Sequence, residues 1–88
     1  MIRWDKKKEL KLLAERGIDI SEISEIIENG GILGAELVPN QKDHPGQKMV
    51  VVKYGGDYCC VPYVVEADGG WFLKTAFISR MARKKYGG

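Results

Sequence analysis

At residue 32 the hydrophobic period of this chain changes. Before that point apolar residues recur three and four apart. After it, ILGAELVPN, QKMVVVKY, YCCVPYVV and WFLKTAFIS are each of strand length and rich in β-branched and aromatic residues. A chain that reads as helix first and strand afterwards buries both kinds of apolar face by laying its helices on its sheet, which is an α+β arrangement. Two glycine turns, Tyr54-Gly55-Gly56-Asp57 and Ala67-Asp68-Gly69-Gly70, join the last three segments tightly, so these are expected to form an antiparallel meander. Pro62 has no N–H, which points to a bulge or an unpaired stretch in YCCVPYVV.

The first third of the chain supplies the helices. Ile2 and Trp4, flanking Arg3, suit a short opening strand, and Asp5 is an N-cap for a helix reaching about Arg16, with Gly17 as its stop. Leu10, Leu13 and Ala14 share one face of that helix, with Leu12 at its edge, and the lysines Lys6, Lys7, Lys8 and Lys11 are expected to face water. In IDISEISEIIENGG, Asp19 and Glu22 stand in capping-box relation and Ile18 with Ile23 fits a hydrophobic staple. Ile20, Ile23, Ile26 and Ile27 then make an apolar stripe. Both helices are expected on one face of the sheet, in a single domain spanning residues 1–88.

Charge is distributed unevenly. The net charge is +2, yet residues 71–88 hold Lys74, Arg80, Arg83, Lys84 and Lys85 and no acid. In WFLKTAFIS strict alternation puts Trp71, Leu73, Thr75 and Phe77 on one face and Phe72, Lys74, Ala76 and Ile78 on the other. If the first set packs under the helices, Lys74 stands on the open sheet face near the point where Arg80 begins the basic tail. Ile78, Met81 and Ala82 interleave with the charges and can anchor that tail, Tyr86 adds a stacking or proton-donating group, and Gly87-Gly88 is expected to be disordered. The long connection, NQKDHPGQ at residues 40–47, carries His44, the one histidine, a residue type suited to accepting or donating a proton.

A basic sheet face bearing aromatic rings suits RNA, because cationic side chains neutralise phosphates and rings stack on bases. RNA carries its own nucleophile, the 2′-hydroxyl. The candidate catalytic groups are therefore Lys74 and Arg80 for the phosphorane charge and His44 or Tyr86 for proton transfer, with Arg83, Lys84 and Lys85 binding the RNA backbone. The vicinal pair Cys59-Cys60 and a lone histidine lack chelating spacing, so no metal and no cofactor are expected. No apolar run approaches the roughly 18 residues of a membrane span and MIRWDKKKEL has no signal-peptide apolar stretch, so a cytoplasmic location away from membranes is expected.

The order of these pieces resembles a family. Trp4-Asp5, a lysine-rich helix ending Glu15-Arg16-Gly17, the ISEISEIIENG helix, Asp43-His44, the VVV strand and Ile78-Ser79-Arg80 through Tyr86 together resemble the BrnT-like toxins of bacterial type II toxin–antitoxin pairs, in the RelE/ParE toxin superfamily. The resemblance covers nearly the whole chain. It implies a strand, two helices and then a sheet, a ribonuclease activity that arrests translation, and a small antitoxin partner of the ribbon-helix-helix DNA-binding type. On that resemblance Arg80 matches the arginine after the last strand and Tyr86 the terminal aromatic position. A binding module of the same fold that breaks no bond is the alternative.

Overall fold

Glycine at position 55, with φ +61°, closes the turn between the two longest strands, a conformation that residues with a Cβ rarely adopt. Around this hairpin the computed structural model, which describes residues 1–87, is α+β. The chain runs β1 (Ile2–Trp4), α1 (Lys6–Arg16), α2 (Ile20–Glu28), β2 (Ile32–Leu37), β3 (Lys48–Tyr54), β4 (Asp57–Val65), β5 (Trp71–Leu73), β6 (Phe77–Ile78) and α3 (Arg80–Tyr86). The strands form one mixed sheet in the order β1-β5-β4-β3-β2, with β6 also on β4. The strands β2 to β5 pair antiparallel, including the expected meander, while β1 lies parallel to β5 at one edge.

The two faces of the sheet are covered separately. On one, Leu12 of α1, Ile18 before α2, and Ile20, Ile23 and Ile27 of α2 pack on Val50, Val52, Cys59, Val61 and Leu73. On the other, Ala82 of α3 packs on Met49, Val51 and Cys60, with Tyr58, Phe77 and Tyr86 beside them. The two expected helices thus share a face. A third helix, formed by the basic tail, occupies the opposite one. Ser79 starts it by accepting the Ala82 N–H at 3.1 Å. Gly87, expected to be disordered, caps its end by donating to Arg83 O at 2.8 Å, and Gly88 lies outside the described residues.

Three expectations are corrected. In α1 the buried residue is Leu12, whereas Leu10 and Leu13 are 66% and 53% exposed. The helix is turned so that Leu12 faces inward, and the exposed Arg16 reaches across to donate from Nη1 to Ala76 O at 2.7 Å. At α2 the cap Asp19 accepts from Ser21 N at 3.0 Å and Ser21 Oγ at 2.7 Å, while the Asp19 N–H goes to the Tyr54 hydroxyl at 2.9 Å instead of to Glu22. That cap holds the Asp19 carboxyl below its ordinary pKa, first through the Ser21 hydrogen bond.

The third correction concerns the last strand, which is two. Leu73 pairs with Tyr63 and Phe77 with Cys60, so the three residues Lys74 to Ala76 face only Val61 and Pro62. One residue is extra, and a shift of one reverses every side chain after it. Ala76 therefore joins the helix-covered core, and Phe77 crosses to the α3 side. Pro62 O accepts from Lys74 N at 2.8 Å, so the proline nitrogen, which points the same way, falls where the bulge needs no donor.

Candidate nucleic-acid interface

The loop between β2 and β3 is folded around one side chain. Gln41 Nε2 donates to Val38 O at 2.6 Å and to Gln47 O at 3.2 Å, and Gln41 Oε1 accepts from Gly46 N at 2.9 Å. Asn40 and Asp43 close a smaller turn inside it through Asn40 Nδ2 to Asp43 Oδ2 at 2.8 Å. His44 is held at its backbone: its N–H donates to Asn40 O at 3.0 Å, and its carbonyl accepts from Gln47 N at 3.1 Å. These bonds present the exposed imidazole over the end of the sheet.

There the loop borders an open groove of about 900 Å³. Its ionisable lining groups, tyrosine apart, are Lys8 from α1, His44 from the loop, Lys48 at the start of β3 and Lys74 at the bulge; none of the lining residues is acidic. Pro62, Tyr63, Val64 and Phe77 give it apolar walls. Tyr63 is stacked on Trp71, ring centroids 4.1 Å apart and planes 15° from parallel, which stiffens that wall. The Lys74 ammonium lies 6.0 Å from the centre of the Phe72 ring. A concave, apolar-walled site ringed by three lysines and a histidine attracts anions, and its walls admit a flat ring.

The groove unites two of the residues singled out from sequence, His44 and Lys74. The others, Arg80, Arg83, Lys84, Lys85 and Tyr86, lie on α3, where Arg80, Arg83 and Lys84 are exposed. Lys85 and Tyr86 are engaged: the Tyr86 hydroxyl donates to Glu36 Oε2 at 2.7 Å, and Lys85 Nζ lies 3.1 Å from the same oxygen. The Tyr86 hydrogen bond and then Lys85 hold the Glu36 carboxyl below its usual pKa, while the tyrosine and lysine are both raised by their hydrogen bonds to Glu36. Tyr86 is thereby kept neutral. Its ring covers Gly34, where any Cβ would collide with it.

Lys8 and Lys48 both line the groove, although the sequence set Lys8 on the solvated face of the first helix and gave Lys48 no role, and Gln41, which shapes the loop, carried no signal there. The thiols take no part. Burial pushes Cys59 up to about 12 and raises Cys60 as well, so both stay protonated. Among the described residues, no group of three or more His, Cys, Asp or Glu side chains is arranged to hold a metal, and no helix is long and apolar enough to cross a membrane. No protein-family model, no curated protein and no solved structure matches this chain.

Proposed function

We propose that this chain binds RNA in the groove and cleaves it without a metal ion, as a BrnT-like toxin of a bacterial type II toxin–antitoxin pair with a RelE/ParE-like arrangement. The observation that carries the reading is the groove's charge: Lys8, Lys48 and Lys74 with His44, and no acidic residue in the lining. Three ammonium groups around an apolar floor suit a phosphodiester whose base lies on the wall.

In the proposed reaction His44 accepts the proton of an RNA 2′-hydroxyl. The 2′-oxygen attacks the adjacent phosphorus, and Lys74 and Lys48 offset the added charge on the phosphorane oxygens. The bond from phosphorus to the 5′-oxygen breaks as that oxygen takes a proton from water, and His44 returns its own proton to solvent, giving a 2′,3′-cyclic phosphate and a 5′-hydroxyl end. Arg80, Arg83 and Lys84 hold the flanking backbone, and Tyr86, engaged by Glu36, serves structure rather than proton transfer. The partner under this reading is a ribbon-helix-helix antitoxin, and its co-expression restores growth.

A second reading, binding without cleavage, is favoured by the exposure of His44, whose anchoring bonds all run through its backbone. Incubation with end-labelled single-stranded RNA in excess EDTA separates the two. Cleavage is expected to give cyclic-phosphate ends and to vanish in His44→Ala while binding persists. Intact RNA, together with unimpaired growth on overexpression, would overturn the enzymatic reading and leave the binding one.

A further inference from the structure

The α3 side of the sheet is covered over part of its width. Ala82 packs there on Met49, Val51 and Cys60, with Tyr58 and Phe77 beside them, all residues of β3, β4 and β6. Strands β5 and β1 carry the sheet beyond that cover. In β5, Trp71 and Leu73 pack toward α1 and α2, so Phe72 between them turns to the other side. It is half-buried and stands in a row with its register partners, Arg3 of β1 and Val64 of β4. Arg3 is exposed and Val64 is 40% exposed. The row therefore presents an aromatic ring to solvent on an open sheet face.

Two cations flank this ring. Arg3 is tied to Glu66, Nε to Oε1 at 3.0 Å and Nη2 to Oε2 at 2.5 Å, so its charge is already met. Lys74 makes no ion pair among the described residues, and its ammonium lies 6.0 Å from the centre of the Phe72 ring, the outer limit of cation–π attraction. Little holds it there. The same lysine lines the groove, so one flexible side chain links the groove to the ring.

We propose that Phe72 stacks the base of the nucleotide whose phosphate Lys74 binds. This rests on the groove holding RNA, as proposed above. In a nucleotide the base stands one sugar away from the phosphate, and a sugar spans the separation between the Lys74 ammonium and the Phe72 ring. When the ammonium moves onto the phosphate, it uncovers the ring for the base. Every base has a π-face, so the contact adds affinity and fixes the strand's position without choosing a sequence. It also requires an unpaired base, because bases inside a duplex are stacked on both sides.

Fluorescence anisotropy tests this with two labelled 2′-O-methyl strands of equal length, which resist cleavage: an oligoadenylate and a strand without bases. Phe72→Leu keeps an apolar side chain and removes the ring. It should weaken oligoadenylate binding by about tenfold or more while leaving the abasic strand and the salt slope unchanged. Phe72→Trp should keep the parent affinity, and Lys74→Ala should weaken both strands. Annealing the oligoadenylate to its complement should remove the difference between Phe72→Leu and the parent. Far-UV circular dichroism of each variant should match the parent. Parental affinity of Phe72→Leu for the oligoadenylate, or an equal loss on the abasic strand, would overturn the stacking and leave the groove standing. If the parent binds neither strand, or if both are indifferent to Lys74→Ala, the groove reading falls and the stacking with it.

Discussion

The two faces of the sheet are held by different physics. Beneath α1 and α2, Ile18, Ile20 and Ile23 have at most 1% of their surface exposed, and the contact is made by branched aliphatic side chains. Beneath α3 the buried set is Met49, Val51, Cys60 and Ala82, and the helix end is fixed by a polar clasp from Tyr86 and Lys85 to Glu36. Aliphatic burial scales with area and is indifferent to pH, whereas the clasp depends on one carboxylate being charged. The first face should therefore set global stability. The second can open locally.

The largest break in this comparison comes from the first face. Ile23→Ala leaves a cavity under α2 and is expected to cost about 2–5 kcal/mol, a large share of the roughly 5–15 kcal/mol typical of a whole domain. Denaturant unfolding should show a lower midpoint with all probes shifting together. A midpoint unchanged from the parent would mean that the α1 and α2 face is not the main source of stability.

The next effect is smaller and confined to α3. Gly34→Ala forces the Tyr86 ring off β2 and breaks its bond to Glu36, at a cost of about 1 kcal/mol. Amide exchange should quicken through residues 80–86 while β3 and β4 keep their protection. Equal loss of protection in the strands would show that the two faces are one cooperative unit.

Reading these faces from sequence succeeds where a pattern is local. The isoleucine stripe of α2, the glycine turns and the meander depend on neighbours a few residues apart, and all are present. The side of α1 that packs inward depends on Arg16 reaching Ala76, sixty residues away, and the helical period alone favoured Leu10 and Leu13. The split of the last strand is a pairing event, visible in Lys74 to Ala76 only once Val61 and Pro62 lie opposite; Pro62 itself was the one legible sign. Helix α3 needed its Ser79 cap and the Glu36 clasp, fifty residues distant from Tyr86. The groove was half legible: His44 and Lys74 stood out by residue type, but Lys8 and Lys48 became site residues through placement.

Acid tests the clasp without mutation. Glu36 has a lowered folded pKa, so its contribution is fully present above the ordinary glutamate value near ~4.3 and is lost as pH falls through the still lower folded value. The Tyr86 ring resonances should therefore shift in that acidic window before the helix-covered core unfolds. In Glu36→Gln the shift should be absent. A Tyr86 transition that persists in Glu36→Gln would assign the titration to another group.

The smallest effects on stability, and the ones that sharpen the functional side of the comparison, belong to the exposed cations. Lys74→Ala in the groove and Arg83→Ala on α3 each remove an exposed charge and should change stability by less than about 0.5 kcal/mol. Both are expected to weaken RNA binding and to reduce the slope of log affinity against log salt by roughly one if each meets a phosphate. Their kinetics should differ. Loss of Lys74 removes charge beside the reacting phosphorus and should slow cleavage at saturating RNA, whereas loss of Arg83 acts on affinity and leaves that maximal rate unchanged. If Arg83→Ala lowers the maximal rate as far as Lys74→Ala does, the chemistry sits on the α3 side of the sheet. The groove would then be a place where RNA is held and not where it is cut.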